Sequence, residues 1–260
     1  MNKSILTSVA DGVATLQLNR PDAMNSFDAD TARTIRDSVE AFGADEAVRV
    51  LVVGGAGPAF SAGGDFNSVL GWPDLDAITR RVGADAMMGA VQAIYDFPKP
   101  SIARVHGAAV GGGVGLMLAC DFAIAAAPAR FGLTSVRNGL LAGIAIPVLI
   151  EAVGPRVARQ LMMHGGMFDA RTALRVGLVD QVVEADALAS TVATLAGELK
   201  LGAPSVQTTI KKLIPEIDAL AHDTNVADIL GEHVANQCVT DEALEGMSAF
   251  LDKRKPKWAL

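Results

Sequence analysis

A repeated order of segments, strand then helix then buried strand, restricts the fold of this chain more than any other feature of its sequence. Residues Val13 to Leu18 alternate in the manner of a strand, and the apolar residues between Asp28 and Phe42 fall on one face of a helix. The β-branched residues from Val48 to Val53 precede two glycines, which predicts a strand buried on both faces.

The same order returns farther along the chain. Apolar residues at i,i+4 spacing predict a helix from Ile78 to Ile94, and a strand is predicted from Ser101 to Val105. A glycine-opened helix is predicted from Gly111 to Ala119, followed by a buried strand from Phe122 to Ala126. This alternation predicts an α/β fold in which most strands pair in parallel.

After about Val183 the periodicity is helical only. One apolar stripe runs from Val206 to Ile214 and another from Val226 to Val234. With so little chain left, these stripes either fold back on the α/β core or pack against another subunit. Oligomerisation is the natural way to bury the surplus apolar surface.

Composition excludes several classes of function. The chain has 260 residues and a formal charge of −7, so its overall field repels nucleic acid and anionic lipid. Neither Cys120 nor Cys238 has a CxxC neighbour, and no disulfide or metal site is predicted. Residues 1–9 lack the apolar stretch of a signal peptide, which predicts a cytoplasmic protein. The apolar stretch from Leu140 to Ile150 is too short to cross a bilayer and is interpreted as buried core.

Small residues crowd the segment from Ala59 to Phe66, directly after a predicted strand. Because Gly63 and Gly64 have no β-carbon, a ligand oxygen could approach their backbone N–H groups closely, as an oxyanion site requires. An isolated Gly-Gly pair is more often a tight turn.

A second glycine-rich segment runs from His106 to Gly115 and opens a helix. Three consecutive glycines weaken a helix start, at about 1 kcal/mol each relative to Ala. They indicate either very close packing or a helix N-terminus left open for an anion. The spacing is GGGxG with no acidic residue placed for a ribose, which argues against a dinucleotide site.

Taken together, these segments resemble the paired signatures of the crotonase superfamily (the enoyl-CoA hydratase/isomerase family), and the resemblance covers nearly the whole chain. Four motifs occur in that family's order. They are Leu18 to Ser26 (LNRPDAMNS), Ala59 to Phe66, Ala109 to Gly113, and Thr240 to Pro256.

The resemblance implies a spiral of ββα repeats over residues 1–200, with a helical region over residues 201–260 that mediates trimers, often paired into hexamers. It implies an acyl-CoA substrate, with coenzyme A present as part of the thioester and no permanently bound cofactor or metal. By motif position, the oxyanion donors are the backbone N–H groups of Gly64 and Gly112. The coenzyme A path is lined by Ala23, Met24, Ala62, Gly64, Asp65, Phe66 and Gly112.

Two positions depart from the family pattern. Hydratases of this family carry two glutamates that position water and move protons, and the corresponding positions here are Gly115 and Ser135. No Asp or Glu occurs between Asp121 and Glu151. Water addition to a C=C bond needs a base within reach of the water and an acid for the α-carbon, and Gly115 can be neither.

Substitute groups have open alternatives. Asp65 beside the oxyanion loop is either a catalytic carboxylate or a structural contact, and His106 is either a proton carrier or a structural histidine. Ser135 lacks an adjacent base in sequence. Arg137 and Asn138 either bind a carboxylate or carbonyl of the acyl group or have a solvated or subunit-interface role.

Two charged segments are also ambiguous. The stretch from Gly71 to Asp85 is either a lid or a solvated helix face. The basic residues from Lys253 to Lys257 either meet coenzyme A phosphates or form a solubilising tail.

Three functions remain open from the sequence. The first is an enoyl-CoA hydratase-type or isomerase-type enzyme with non-standard acid and base residues. The second is another crotonase reaction, such as thioester hydrolysis or C–C cleavage. The third is a protein that binds acyl-CoA without turnover, because binding does not need the two glutamates.

Overall fold

The computed structural model describes residues 4–220 and 226–259. Its strands are β1 (Ile5–Ala10), β2 (Val13–Leu18), β3 (Val50–Gly55), β4 (Ser101–Val105), β5 (Ala108–Val110), β6 (Phe122–Ala126), β7 (Arg130–Gly132), β8 (Met167–Asp169) and β9 (Gln181–Val183). Its α-helices are α1 (Ala29–Ala44), α2 (Phe66–Leu70), α3 (Ala77–Tyr95), α4 (Gly112–Leu118), α5 (Ile146–His164), α6 (Ala170–Val176), α7 (Leu188–Leu199), α8 (Pro204–Asp218), α9 (Val226–Gln237) and α10 (Asp241–Leu251).

The strands form two sheets. The larger has the order β1-β2-β3-β4-β6-β9, and the smaller has the order β5-β7-β8. All pairs in the larger sheet are parallel except β1 with β2, so the chain returns through a helix or loop after most strands. The predicted α/β class with mostly parallel pairing is confirmed.

The segments predicted from periodicity are present with small shifts. Helix α1 begins at Ala29 because the side chain of Asp28 caps it, accepting a hydrogen bond from the N–H of Thr31. Strand β3 begins two residues later than predicted and is buried along its whole length. Strand β1, which the sequence analysis did not predict, pairs with β2 as an antiparallel hairpin.

One sequence interpretation is wrong in part. The stretch from Leu140 to Ile150 was expected to be buried core, and Leu149 is fully buried. However, Leu141 is 79% exposed and Ile150 is 42% exposed. This segment crosses the surface in a short 3-10 helix (Gly143–Ala145) before α5, so only part of its apolar surface meets the core.

The last helices are held to the core by a few long-range polar contacts. Arg49 in the strand region donates to the carbonyls of Gly202 (2.8 Å) and Trp258 (3.0 Å). Lys211 of α8 forms an ion pair with Asp121 at 2.9 Å. Many large apolar side chains on these helices stay exposed, among them Ile210, Ile214, Val234, Leu244, Phe250 and Leu251.

Across the described ranges 4–220 and 226–259, none of the helices combines the length and apolar character needed to cross a membrane.

Candidate functional site

The first glycine-rich loop follows β3 and is held by Asn25. The Asn25 side chain, almost completely buried, donates from Nδ2 to the carbonyls of Ala56 (2.8 Å) and Ala59 (2.7 Å). The Ser61 hydroxyl donates to the Asn25 carbonyl at 2.9 Å and accepts from the N–H of Gly63 at 3.1 Å. Hydrogen bonds to Asn25 therefore hold the backbone of the first glycine-rich loop in place.

The two glycine-rich segments lie against one another. The N–H of Ser61 donates to the carbonyl of Ala108 at 3.0 Å, and the N–H of Val110 donates to the carbonyl of Ser61 at 2.9 Å. Gly63 has φ +83°, and a β-carbon there would stand 2.6 Å from the amide nitrogen of Gly112. Only glycine permits this approach, so the glycines in both segments serve close packing as well as backbone exposure.

The backbone N–H groups of Gly64 and Gly112 do not take part in the backbone hydrogen bonds made by the neighbouring residues. The Phe27 backbone bonds to the Gly63 carbonyl (2.8 Å) and the Asp65 N–H (3.0 Å), so the N–H of Gly64 points away from Phe27. Gly112 is the first residue of α4, where an N–H has no carbonyl partner within the helix. The positive end of the helix dipole lies at the same place.

A cavity of about 400 Å³ lies beside these two glycines. Its remaining lining consists mostly of apolar residues from four parts of the chain. They are Phe27, Ala29, Phe66, Val69, Trp72, Ala84, Met87, Met88, Leu140, Leu141, Ala142, Gly143 and Ile144, with the polar residues Asp28, Asp65, Ser68 and Ser135.

Asp65 lines the cavity but is held by structural contacts. Its Oδ2 lies 2.8 Å from Nη2 of Arg20, and its Oδ1 accepts from the N–H of Asn67 at the start of α2. The same arginine donates to the carbonyl of Ser26 at 2.9 Å. Of the two roles open from the sequence, these contacts favour the structural one.

Asp28 is the other carboxylate of the cavity, and it caps α1. Burial opposes its ionisation, but hydrogen bonds from Thr31 outweigh burial and hold the pKa of Asp28 below its ordinary value. A carboxylate that is ionised and already accepting hydrogen bonds is a weak base at neutral pH.

Gly115 and Ser135, which the family resemblance matches to the glutamates of hydratases, differ in their surroundings. Gly115 is buried in α4, and a β-carbon there would lie 3.3 Å from the Cα of Ala145 and 3.4 Å from the carbonyl oxygen of Ile144. Ser135 is half-buried at the cavity wall, with its hydroxyl 3.3 Å from where a β-carbon of Gly111 would stand. Backbone atoms therefore pack closely against Gly115, whereas Ser135 presents a hydroxyl group at the cavity wall.

The side chains of His106 and Arg137 contact backbone carbonyl groups. His106 Nε2 is 2.8 Å from the carbonyl of Gly57, a contact that favours its structural role. Arg137 donates from Nε and Nη2 to the carbonyl of His164 at 3.3 Å, and neither Arg137 nor Asn138 lines the cavity.

Charged residues of the two ambiguous segments make local contacts. Asp76 caps α3 through the N–H groups of Ile78 and Thr79, and Asp85 pairs with Arg81 at 2.6 Å. In the basic tail, Arg254 pairs with Glu245 at 2.7 Å. These contacts favour a solvated helix face for the carboxylates of the first segment, whereas Trp72 and Ala84 of the same segment line the cavity.

Of the residues singled out from the sequence, the structure brings Gly64, Asp65, Phe66, Gly112 and Ser135 to one cavity. Ala23, Met24 and Ala62 lie outside its lining, although Ala62 is joined to the Met24 carbonyl by a 2.8 Å hydrogen bond.

Most of the apolar residues that line the cavity were not predicted as site residues from the sequence. Trp72, Leu140 and Ile144 carry no motif that marks them as site residues, and the apolar run after Leu140 was interpreted as core. Its interruption by Gly143 and Pro147 is the signal that could have indicated a surface segment.

A larger cavity of about 600 Å³ shares no lining residue with the first. Its polar groups are already partnered: Lys211 pairs with Asp121, and burial together with Glu151 raises the pKa of Tyr95 to about 12. Within residues 4–220 and 226–259, no group of three or more His, Cys, Asp or Glu side chains is placed to hold a metal ion.

Known proteins share both this sequence pattern and this fold. The family model described as enoyl-CoA hydratase/isomerase matches residues 8–259. A crotonyl-CoA hydratase of Syntrophomonas wolfei is 34% identical over 256 residues, covering 97% of this chain and 96% of that protein. A trans-2-decenoyl-[acyl-carrier-protein] isomerase of Streptococcus mutans is 30% identical, with 98% of each chain covered.

The fold comparison agrees with the sequence comparison. The crystal structure of an enoyl-CoA hydratase from Shewanella pealeana superposes with a TM-score of 0.94 at 30% identity, covering 98% of this chain and 96% of that one. Sequence, fold and the paired glycine loops lead to one assignment: the chain belongs to the enoyl-CoA hydratase/isomerase family, the crotonase superfamily.

Proposed function

We propose that this crotonase-family enzyme binds an acyl-CoA thioester with its carbonyl oxygen between the N–H groups of Gly64 and Gly112, and stabilises the negative charge of an enolate there. The observation that carries the proposal is the contact between the two glycine loops, where Gly63 packs against the Gly112 amide beside the cavity. One such donor is worth roughly 3 kcal/mol in the transition state.

Proton transfer in this proposal does not use the family's two glutamates. Gly115 has no ionisable group, and Asp28 and Asp65, the carboxylates that line the cavity, are held at helix starts. Ser135 can orient a water or a substrate oxygen, but a hydroxyl alone is a poor base. We therefore expect crotonyl-CoA hydration far below the rate of a glutamate-bearing relative.

Binding without turnover is the second candidate function. Gly115 and Ser135 favour it, because thioester binding would need only the two N–H groups, whereas hydration also needs proton carriers. Thioester hydrolysis and C–C cleavage need the oxyanion site with other side chains, and nothing in the cavity favours either over binding alone.

The decisive measurement separates charge stabilisation from proton transfer. Acetoacetyl-CoA forms an enolate in water without an enzyme, and the enolate absorbs in the near ultraviolet. If the two N–H groups stabilise it, the pKa of the bound ligand falls by at least about one unit, equivalent to about 1.4 kcal/mol. Free coenzyme A, which cannot form an enolate, is the control.

The outcomes discriminate between the functions. An unchanged ligand pKa in the bound state removes Gly64 and Gly112 from the site, and no binding of any acyl-CoA contradicts the substrate assignment. Crotonyl-CoA hydration at a rate typical of the relatives would show that Gly115 and Ser135 do not prevent hydration.

We also propose that residues 201–260 serve self-association around the core formed by residues 1–200, giving a trimer or a pair of trimers. The support is the exposed apolar surface of α8 to α10, where Phe250 is 82% exposed and Leu251 is 77% exposed. Light scattering on the wild type and on Phe250→Asp tests this. A wild-type monomer contradicts it.

A further inference from the structure

The cavity beside Gly64 and Gly112 has a hydrocarbon wall. Phe66 and Val69 come from α2, Met87 and Met88 from α3, and Ile144 from the 3-10 helix before α5. These five side chains can bury methylene groups, but they offer no hydrogen bond to a polar acyl group.

Trp72 completes the wall and is fixed in place. Its ring carbon Cζ2 lies 3.4 Å from where a β-carbon of Gly83 would stand, so the indole packs closely on α3. Glycine at that position leaves the space that the ring occupies. The aromatic wall is therefore part of the packed structure.

Positive charge is missing from the lining. No Lys, Arg or His is among the described residues that line this cavity. The arginines near it have other partners: Arg20 pairs with Asp65, Arg137 donates to the carbonyl of His164, and Arg81 pairs with Asp85. The sequence-based suggestion that Arg137 binds a carboxylate of the acyl group has no geometric support.

Negative charge, in contrast, is already present. Asp28 and Asp65 both line the cavity, and each accepts a hydrogen bond from a backbone N–H at a helix start. A ligand carboxylate brought into this apolar space would meet two further carboxylates, of which Asp65 is already paired with Arg20, and no cationic side chain among the described lining residues. This arrangement disfavours the ionised form of the ligand carboxylate.

From these observations we infer that the site selects acyl-CoA thioesters whose acyl group is apolar and uncharged, and that it rejects acyl groups ending in a carboxylate. The inference rests on the proposed function, because it takes the thioester to lie on the N–H groups of Gly64 and Gly112. Each methylene that enters the wall should tighten binding about fourfold.

Calorimetry with matched thioesters tests the selectivity. Hexanoyl-CoA and glutaryl-CoA have acyl chains of similar length, but only the second ends in a carboxylate. We expect hexanoyl-CoA to bind at least about tenfold more tightly than glutaryl-CoA, and butyryl-CoA to fall between hexanoyl-CoA and free coenzyme A. Equal affinity for hexanoyl-CoA and glutaryl-CoA overturns the inference.

A positive charge placed in the wall should weaken the preference for hexanoyl-CoA over glutaryl-CoA. Met88 is 37% exposed and lines the cavity, so Met88→Arg adds a cation without burying it fully. We expect this variant to narrow the ratio between the two thioesters at least fivefold, mainly through tighter glutaryl-CoA binding. Met163→Arg is the matched control, since Met163 is 72% exposed and lies outside the cavity.

The two proposals fail differently. If no thioester binds more tightly than free coenzyme A, both the proposed function and the inferred selectivity are contradicted. If hexanoyl-CoA and glutaryl-CoA both bind well and equally, only the selectivity fails. If the ratio of hexanoyl-CoA to glutaryl-CoA affinity changes as much in Met163→Arg as in Met88→Arg, the role of the wall is contradicted. If Met88→Arg does not fold, the comparison of the two thioesters with the wild-type protein still tests the selectivity.

Discussion

A β-carbon on Gly115 would stand 3.3 Å from the Cα of Ala145, so the backbone before α5 packs against the side of α4 where the family resemblance predicts a glutamate in hydratases. The close packing of the two segments therefore disfavours any side chain larger than that of glycine at position 115. A Cβ contact this short requires the neighbouring backbone to move.

Restoring the glutamate should therefore fail. Gly115→Glu is expected to destabilise the protein by at least about 2 kcal/mol, because it overpacks a buried position and buries a charge without a partner. Thermal unfolding measures the loss, and a crotonyl-CoA assay should show no gain in hydration. Gly197→Glu is the control, because Gly197 is also helical and a β-carbon there meets nothing within 4 Å. Strong hydration by Gly115→Glu would contradict the closed packing.

Substitution of Gly63 should affect the site through the contact with the Gly112 amide as well as through the positive φ angle of Gly63. In Gly63→Ala the new β-carbon would lie 2.6 Å from the Gly112 nitrogen and must push the second donor away. The pKa shift of bound acetoacetyl-CoA should be lost, with turnover of any substrate reduced roughly 100-fold.

Gly139→Ala provides the matched comparison for that variant. Gly139 has φ +71°, but a β-carbon there meets nothing within 4 Å. It should cost roughly 1 to 2 kcal/mol of stability and leave the ligand pKa unchanged. Equal effects of the two variants would mean that the loop contact is unimportant.

Asn25 lies outside the cavity lining, and its substitution should lower the free energy of unfolding. Asn25→Ala removes two donated hydrogen bonds to the first glycine loop and the one that Asn25 Oδ1 accepts from the N–H of Arg20, for an expected loss of about 2 to 4 kcal/mol in urea unfolding. Asn25 has φ 56°, so Asn25→Gly should lose less than Asn25→Ala. The exposed Asn138→Ala should have little effect, and a similar small effect for Asn25→Ala would contradict this role.

The ion pairs of Glu245 should make the end of the chain sensitive to acid. Hydrogen bonding from Arg254, together with the Lys257 backbone, lowers the pKa of Glu245 from its ordinary 4.5 to about 2. A carboxylate with a lowered folded-state pKa stabilises the fold fully above its unfolded value and loses this contribution as pH falls through the folded one.

The stability difference between wild type and Glu245→Gln should accordingly be constant above about pH 5 and shrink between pH 4.5 and 2. Urea unfolding across that range measures it, with the exposed Glu216→Gln as control. A difference that does not depend on pH would show that the pair contributes nothing through its charge.

The sequence alone predicted the α/β class, the main helices and the two glycine-rich segments. These features depend on residues near one another in the chain: periodicity from Asp28 to Phe42 marks one face of α1 whatever the helix packs against. The family resemblance then ordered the segments, and the comparisons confirmed the family. The assignment of Gly64 and Gly112 as oxyanion donors stays a prediction.

Only the tertiary structure decided what surrounds those glycines. It pairs Asp65 with Arg20, turns Arg137 toward His164, closes the side of Gly115 with Ala145, and brings Trp72 and Ile144 to one cavity. Most of these partners lie far apart in the chain and belong to different elements, so local periodicity carries no information about their distance. Packing sets that distance, and with it whether a carboxylate near the site is a free base or a helix cap.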